Sequence, residues 1–433
     1  MLVVKLNAYK RGRSYDLVTG SVSRLEDWLK KHGWKGYDPF DVLGTPFFLK
    51  IESLRVKSYL WEKVLTPLVG LPYLLPLLTR RILLVKKTRN PMAAALFARG
   101  YLNLYKISED SDHLRLALDY LGWLEEHYSR GYSGMCWGYP FDWQSNILFP
   151  KDTPSGVVTS IVVQAFLGAY EVTKEKRFKE IAVDAINFFL KDLHIMLVDN
   201  DKLCFSYTPL DKFRVHNANL WVASTLARMI ACAKLKKYKK LILRAVNFTL
   251  SDQRTDGGFY YWDTRYAQAK GIRNGIDNYH TGYVIEALAD IAKYMGHEQI
   301  KDSVIGAFRF YEKNLMKNGS TPKHSFGLNY SGDITDPIIL DINDCSEAIL
   351  VFLKMYSSGF PPKANLSKKI ARWTIRNMQD RDGHFYYRIY RWGIDKTSHI
   401  RWSQAWMFFA LTELLKAVSK HECRSQRNKN LNI

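Results

Sequence analysis

The amino-acid sequence predicts an all-α protein: an (α/α)6 toroid of about six helical hairpins with long aromatic loops at one end. The first observation is a repeat, because an apolar helix begins about every 60 residues. The second is that each apolar helix but the last is followed by a charged, amphipathic helix. Apolar helices are buried and amphipathic helices cover them, so the pattern indicates an inner and an outer ring. The apolar helices begin near Met92, Thr153, His216, Asn278, Asp344 and Trp402.

Helix starts and side-chain composition support this repeat. Asn90-Pro91 and Thr153-Pro154 each place a capping side chain before a proline, which is a common opening of a helix. Residues 154–170 contain no charged side chain, whereas residues 175–184 alternate apolar and charged side chains at helical spacing. The first stretch is therefore predicted to be an inner helix, and the second its outer partner.

The repeat divides the chain into three parts. Residues 1–89 are an N-terminal extension, residues 90–420 form the toroid, and residues 421–433 are a basic tail that we expect to be disordered. The sixth inner helix has no outer helix after it in the sequence. Residues 21–32 form an amphipathic helix that could supply this partner, so the extension is predicted to pack on the ring and close it.

An apolar run lies within the extension at residues 64–79. A membrane-spanning helix needs about 20 apolar residues, and this run is shorter and contains Pro67, Pro72 and Pro76. Two interpretations remain open. Either the run packs against the body of the protein, or residues 64–89 contact a membrane surface with the help of the basic side chains that follow the run.

Composition narrows the choice of partner and compartment. Lysine and arginine number 63 against 42 acidic residues, a net charge of +21, which favours an acidic oligosaccharide or polysaccharide as the partner. Nucleic acid fits the charge too, but it is not expected because no helix-turn-helix, zinc-finger or RNP pattern is present. The 5 cysteines form no CxxC pair and no signal-peptide core is seen, which predicts a cytoplasmic protein with peripheral membrane contact as an addition.

Neither a cofactor nor a metal ion is expected. The sequence has no HExxH pair, no paired cysteines or histidines at ligand spacing, no Gly-rich phosphate loop and no Gly-x-Ser-x-Gly elbow. Any chemistry would therefore depend on carboxylates, histidines and aromatic side chains.

Aromatic side chains are concentrated in the loops that precede inner helices. Because these loops share one position in the repeat, we expect them to gather at one mouth of the toroid. Aromatic faces there could bind the apolar faces of sugars, although sealing the core is an equal alternative for any single residue. The aromatic residues predicted to contact substrate are Trp137, Tyr139, Tyr207, Trp262 and Trp402.

The candidate catalytic residues occur in the same loops. Asp142 stands in mid-loop, and Asp277 and His280 lie at the start of the fourth inner helix. Two carboxylates could hydrolyse a glycosidic bond, whereas a histidine could remove a proton next to a uronate carboxylate that an arginine holds. The alternative is that the acids are helix caps and the histidines structural. The polar residues predicted to bind substrate are His216, Asp344 and Arg401.

Two stretches resemble a repeat of known toroids. Gln253–Phe259 and Gln379–Phe385 are similar to the Gln-x-x-x-Gly-x-aromatic repeat of squalene cyclases and related prenyl-handling proteins. The resemblance implies an α/α barrel. The Asp-x-Asp-Asp acid motif of the cyclases is absent from this sequence, so the resemblance does not extend to their acid chemistry.

Other stretches resemble carbohydrate enzymes. Residues 277–280 are similar to the Asp-Tyr-His opening of a late helix in glucuronyl C5-epimerases. Residues 156–178 resemble a helix pair of the six-hairpin enzymes, which include unsaturated glucuronyl hydrolases and uronate lyases. The loops 36–41 and 138–143 resemble those of uncharacterised toroids from surface-polysaccharide gene clusters.

These observations predict a carbohydrate-active enzyme that acts on an acidic glycan or its precursor in surface-polysaccharide metabolism. The reaction is open between glycoside hydrolysis and uronate lyase or epimerase chemistry. One alternative is a non-catalytic protein of glycan binding or assembly, which would use the same aromatic residues without an acid and a base. The other is an isoprenoid-handling protein similar to squalene cyclases, for which a closed apolar cavity would be needed.

Overall fold

A computed structural model describes residues 13–55, 59–233, 236–327, 338–359 and 365–430 of the chain. The N-terminal extension is helical in most of its described part. Its helices are α1 (Arg13–His32), α2 (Pro46–Arg55), α3 (Tyr59–Leu74) and α4 (Pro76–Ile82).

Inner and outer helices alternate from residue 91 onward. Asn90 caps the first inner helix by accepting the Met92 and Ala93 backbone N–H groups, and Ser155 and Asp277 cap later ones in the same way. The helices in chain order are α5 (Pro91–Ser108), α6 (Ser111–Glu126), α7 (Gly156–Thr173), α8 (Lys176–Asn187), α9 (His216–Ala233), α10 (Lys239–Leu250), α11 (Thr264–Lys270), α12 (Asn278–Met295), α13 (Glu298–Asn314), α14 (Ile342–Ser357), α15 (Leu366–Met378) and α16 (Trp406–Asn430).

The inner helices close a ring. Going around it, α5, α7, α9, α12, α14 and α16 each pack on the next, and α16 packs back on α5. The outer helices α6, α8, α10, α13 and α15 each cover the inner helix that precedes them. Because every outer helix returns the chain, the inner helices run in one direction and begin at one end. The predicted (α/α)6 toroid is confirmed.

Helix α1 lies against α16 and α15. Gln379, which follows α15, accepts the Ser21 hydroxyl at 2.8 Å and donates to the Ser21 carbonyl at 3.0 Å. Gln253, which follows α10, makes the same two bonds with Ser303 of α13, at 2.5 and 3.0 Å. Relative to α15, therefore, α1 stands where α13 stands relative to α10, in the position of an outer helix.

Helix α16 continues into the C-terminal tail, as far as Asn430. Residues 421–430 contain neither proline nor glycine and include good helix formers, so nothing local ends the helix. Residues 1–12 and 431–433 lie outside the described part of the chain. The division into extension, toroid and tail stays a prediction.

The apolar run of the extension is only partly buried. A small core of its own joins Leu65 to Val42, Phe48 and Ile51. Leu74, Leu75, Leu77 and Leu78 are exposed instead. Packing within the extension therefore covers part of the run and leaves one side of it exposed.

Short antiparallel strands brace the loops before the inner helices. The pairs are β1 (Trp143–Gln144) with β2 (Leu148–Phe149), β3 (Ile195–Asp199) with β4 (Lys202–Phe205), β5 (Ile276–Asp277) with β8 (Ser325–Phe326), β6 (Met316–Lys317) with β7 (Thr321–Pro322), and the sheet of β9 (Ile338–Asp341), β10 (Arg388–Tyr390) and β11 (Gly393–Asp395) in the order β11-β10-β9. Among the described residues, one helix, Gly156–Thr173, is long and apolar enough to cross a membrane. It is an inner helix of the ring, and 72% of its 18 residues are buried.

Candidate active site

A buried ion pair lies at the loop end of the ring. Arg401, in the π-helical turn Ile400–Ala405 that leads into α16, donates from Nε and Nη2 to the two carboxylate oxygens of Asp38, at 2.6 and 2.7 Å. Asp38 belongs to the loop between α1 and α2, so the extension reaches the centre of the ring. The bidentate pair satisfies both charges. Arg401 was predicted to hold a substrate carboxylate, but an acid of the chain itself already occupies that side of its guanidinium.

Aromatic side chains surround this ion pair. The guanidinium of Arg401 lies 4.8 Å from the ring centre of Tyr139 and 4.7 Å from that of Trp402. Trp143 extends the group, with ring centres 5.5 Å from Tyr139 and 5.6 Å from Tyr207. The structure thus brings the predicted residues Tyr139, Tyr207 and Trp402 together as one aromatic wall.

The wall continues to the start of α12. Tyr279 lies 5.4 Å from Trp402, and its ring centre is 4.3 Å from that of His280. Tyr261 packs on the other side of His280 at 4.4 Å and touches the predicted residue Trp262 at 5.2 Å. Burial raises the pKa of Tyr279 and of Tyr261, so both phenols stay neutral and can donate hydrogen bonds at neutral pH.

His280 is held by the carboxylate that caps its own helix. Asp277 Oδ1 accepts the His280 backbone N–H at 2.8 Å, and Asp277 Oδ2 lies 2.6 Å from His280 Nδ1. A carboxylate at this atom fixes the ring orientation and favours the tautomer with the proton on Nδ1. Nε2 is then the ring atom suited to proton transfer. Asp277 acts here as a cap and as the orienting partner of a histidine.

A second histidine–carboxylate pair flanks the same tyrosine. His324 Nδ1 lies 3.0 Å from Asp344 Oδ2, and the His324 ring centre is 6.2 Å from that of Tyr279. Burial lowers the pKa of His324, but the charge of Asp344 and the hydrogen bond to it outweigh burial and raise the pKa to about 9. His324 is therefore charged at neutral pH. Asp344, predicted to bind substrate, is fully buried and orients this histidine instead.

Asp341 binds one residue of the aromatic wall and one residue of the neighbouring strand β10. Its two carboxylate oxygens accept Trp402 Nε1 at 2.7 Å and Arg388 Nε at 2.6 Å. Asp341 also caps α14 in a reciprocal capping box with Asp344. One buried carboxylate thus fixes Trp402 and the strand β10, which carries Arg388.

Trp137 and His216, both predicted to bind substrate, make structural contacts with the outer layer. Trp137 is completely buried, and its Nε1 donates to the Leu124 carbonyl of the outer helix α6 at 2.9 Å. His216 is completely buried as well, with Nε2 2.9 Å from Asp252 and Nδ1 3.4 Å from Thr249 at the end of α10. Both side chains contact the outer layer, which fits a role in helix packing, and their contact with substrate stays a prediction.

Asp142 was predicted to be catalytic from its mid-loop position. Its carboxylate accepts the Lys151 backbone N–H at 2.6 Å, across the hairpin of β1 and β2. This bond ties the two ends of its own loop together. The observed contact fits a loop anchor, so the structure gives no support to pairing Asp142 with Asp277 as acid and base.

Sequence reasoning missed Asp38, Tyr261 and His324, which belong to this site. Asp38 and His324 lie in loops far from their partners, while Tyr261 stands beside the selected residue Trp262. The loop 36–41 was noted only for its resemblance to other toroids, although an acid between two aromatic residues was a usable signal. No sequence spacing marks His324, because its carboxylate partner lies 20 positions away.

A possible set of metal ligands lies in the turn after α15. The ligand atoms of Asp380, Asp382 and His384 are within 4.8 Å of one another, the one such group among the described residues. Internal hydrogen bonds account for this arrangement, since Asp380 accepts the Tyr386 hydroxyl at 2.7 Å and Asp382 pairs with His384 at 2.6 Å. The prediction that the protein needs no metal or cofactor stays a prediction.

Solved structures share this architecture. Neither a family model nor a curated protein matches the sequence. The cellobiose 2-epimerase from Bacillus thermoamylovorans B4167 superposes with a TM-score of 0.58 at 14% identity, covering 76% of this chain and 87% of the epimerase. A polysaccharide lyase superposes with a TM-score of 0.57 at 12% identity, covering 94% of this chain and 98% of the lyase.

A GH76 α-mannanase from Bacteroides thetaiotaomicron is similar as well, with a TM-score of 0.55 at 12% identity, covering 78% of this chain and 88% of that chain. Identities this low show the fold and no more. The chain therefore shares the fold of these solved structures, and this fold is the α/α toroid that its sequence predicts.

Proposed function

We propose that the protein is a carbohydrate-active enzyme that moves a proton at a sugar carbon, as an epimerase, isomerase or lyase. The observation that carries this proposal is that the rings of His280 and His324 lie 4.3 and 6.2 Å from the ring of Tyr279, and that each histidine is held by its own carboxylate. Such reactions need one group that removes a proton from carbon and another that returns one or assists a leaving group.

The two histidines suit these two roles. His324 is charged at neutral pH and can act as the acid. His280 can act as the base, with Asp277 stabilising the imidazolium that forms. The ring of Tyr279 lies near both histidines, and its neutral hydroxyl can donate a hydrogen bond to the oxygen where negative charge develops. The aromatic wall of Tyr139, Tyr207 and Trp402 would bind the apolar face of the sugar.

Hydrolysis by two carboxylates has less support. Asp277 and Asp344 are each engaged by a histidine and a backbone N–H group, and Asp142 closes its own hairpin. The similar solved structures include a cellobiose 2-epimerase, a D-mannose isomerase and a polysaccharide lyase. These neighbours are consistent with proton transfer at a sugar carbon on this fold, although the similar structures also include a mannanase and a glycosyl hydrolase.

The nature of the glycan is a further part of the proposal. Its acidity rests on the net charge of +21, since Arg401 is already paired with Asp38. A role in surface-polysaccharide metabolism rests on the resemblance of two loops, and the cytoplasmic location on the cysteines. These three points stay predictions.

Deuterium exchange tests the reaction directly. The protein is incubated in D2O with reducing sugars, disaccharides and uronates, and solvent deuterium at sugar carbons is followed by NMR. With one substrate class we expect either deuterium incorporation, as for an epimerase or isomerase, or an unsaturated elimination product, as for a lyase. Either product should be lost in His280→Gln and in His324→Gln. His127→Gln is the control, because this exposed histidine caps α6 on the outer layer. Hydrolytic cleavage that yields neither deuterium incorporation nor an unsaturated product, or full activity in both variants, would overturn the proposal.

A further inference from the structure

The apolar run of the extension and a hairpin from the far end of the chain form one exposed surface. Leu74 is 59% exposed, and Leu77 and Leu78 are 48% and 50% exposed. Trp392 and Ile394 of the β10–β11 hairpin are 58% and 45% exposed. Isolated exposed apolar side chains are common, but a contiguous set marks a binding surface. We call Leu74, Leu75, Leu77, Leu78, Trp392 and Ile394 the apolar face.

A groove runs between the two segments of this face. It has a volume of about 510 Å³ and is lined by residues 73–78 on one side and by Tyr390, Trp392 and Ile394 on the other. The hairpin side also presents the exposed side chain of Lys396. An open groove of this volume, lined largely by apolar side chains, has room for part of a hydrocarbon chain.

The exposed charged side chains around the apolar face are basic, whereas Asp395, the acid in the lining of the groove, is buried. No acidic residue occurs between Lys63 and Glu109. Arg81 and Lys86, which follow the apolar leucines, are exposed, and so are Arg391 and Lys396 on the hairpin. Apolar side chains bordered by lysine and arginine match the acyl boundary and the phosphates of an anionic membrane.

We propose that the apolar face binds an anionic phospholipid membrane from one side. The leucines of α3 and α4 and the indole of Trp392 enter the boundary between headgroups and acyl chains, and the groove takes part of an acyl chain. The helices lie in the interface, since α3 ends at Leu74 and α4 is 7 residues long, well under the about 20 residues that a spanning helix needs.

The apolar face is connected to the candidate active site. Strand β10 carries Tyr390 of the groove and, two residues earlier, Arg388, which binds Asp341 beneath Trp402. A protein bound through this face would therefore hold its mouth close to the lipid headgroups. This extends the proposed function: the glycan would reach the site from the membrane surface. Membrane binding itself does not depend on the proposed reaction.

Vesicle co-sedimentation of the full chain tests the proposal. Vesicles of phosphatidylcholine alone are compared with vesicles that also contain phosphatidylglycerol. We expect binding to the anionic vesicles that falls as salt rises. The double variant Leu77→Glu/Leu78→Glu should weaken it by more than about tenfold, and Arg81→Gln/Lys86→Gln by about fivefold for each charge removed.

Leu197→Glu is the control, because this leucine is more exposed than Leu77 and Leu78, at 66%, but lies on the hairpin of β3 and β4. It should bind vesicles like the unaltered chain. Failure of the unaltered chain to bind anionic vesicles would overturn the proposal, and so would equal losses in Leu197→Glu and Leu77→Glu/Leu78→Glu. Sedimentation velocity adds one more outcome: a dimer that only the face variants dissociate would make this surface a self-association site.

Discussion

Asp38 and Arg401, 363 positions apart in the chain, form a bidentate ion pair at the loop end of the toroid. Both side chains are almost completely buried, with 2% and 1% of their surfaces exposed. The pair joins the loop after α1 to the last inner helix and stands against Tyr139 and Trp402 of the aromatic wall. An N-terminal segment therefore completes the centre of a ring built from the rest of the chain.

Replacing Asp38 by asparagine should destabilise the protein strongly. The variant Asp38→Asn keeps the side-chain size but leaves the guanidinium of Arg401 buried without a counter-charge, which costs about 3–5 kcal/mol. Urea-induced unfolding measures this loss. Asp27→Asn is the control, because Asp27 pairs with Lys30 on the exposed surface of α1 and should change the unfolding free energy little. Equal losses of unfolding free energy in the two variants would show that the buried pair stabilises the protein no more than the exposed pair does.

The two glutamines that join neighbouring outer helices should contribute equally. Gln379→Ala and Gln253→Ala each remove bonds to a serine and to a glycine carbonyl, Gly383 and Gly257 respectively. We expect each to lower the free energy of unfolding by about 2–4 kcal/mol.

Gln144→Ala is the control for these variants, because its amide bonds the neighbouring Ser145 carbonyl within a surface hairpin. If Gln379→Ala were neutral while Gln253→Ala were destabilising, α1 would be an appendage and not a member of the outer ring.

The raised pKa of His324 makes stability depend on pH. A histidine whose folded pKa lies above its ordinary 6.5 stabilises the protein fully below that pH, and the contribution is lost as pH rises through about 9. The unaltered chain should therefore lose stability relative to His324→Gln between about pH 6.5 and 9, by on the order of 3 kcal/mol at most. Urea unfolding at the two ends of this range measures the difference. A constant gap would mean that Asp344 does not hold a proton on His324.

Substitutions of two of the predicted tryptophans, Trp137 and Trp262, should affect different properties, the first stability and the second substrate binding. Trp137→Phe removes a buried bond to the Leu124 carbonyl, so it should cost about 1–3 kcal/mol of stability and leave kcat/KM unchanged. Trp262→Ala removes an aromatic ring that packs on Tyr261 beside His280, and it should raise KM. Steady-state kinetics and thermal unfolding of both variants check this. A raised KM in Trp137→Phe would mean that Trp137 contacts substrate after all.

Part of the candidate site could be predicted because its geometry is local. Asp277 and His280 are three positions apart at a helix start, so capping alone brings carboxylate and imidazole together. The inner ring could be predicted for a similar reason, since an apolar helix and its cap are properties of a short stretch. Tyr139, Tyr207 and Trp402 followed from the position of their loops in the repeat.

The direction in which a loop side chain points could not be predicted from the local sequence. Trp137 and Trp262 both precede inner helices, yet Trp137 turns to the outer layer and Trp262 packs beside His280. Loop residues have no period that assigns them a face. Local sequence therefore could not tell a packing tryptophan from one in the wall, or show that Asp142 closes its own hairpin.

The sequence by itself determined the helices, their order, the ring they form and the end at which the loops gather, because apolar periodicity and capping act over a few residues. Only the tertiary structure decided the partners of the charged groups. Asp38 meets Arg401, and Asp344 meets His324, because closing the ring brings distant loops to one place. Burial there forces each charge to take an opposite charge within reach, and which one is in reach depends on the closed ring.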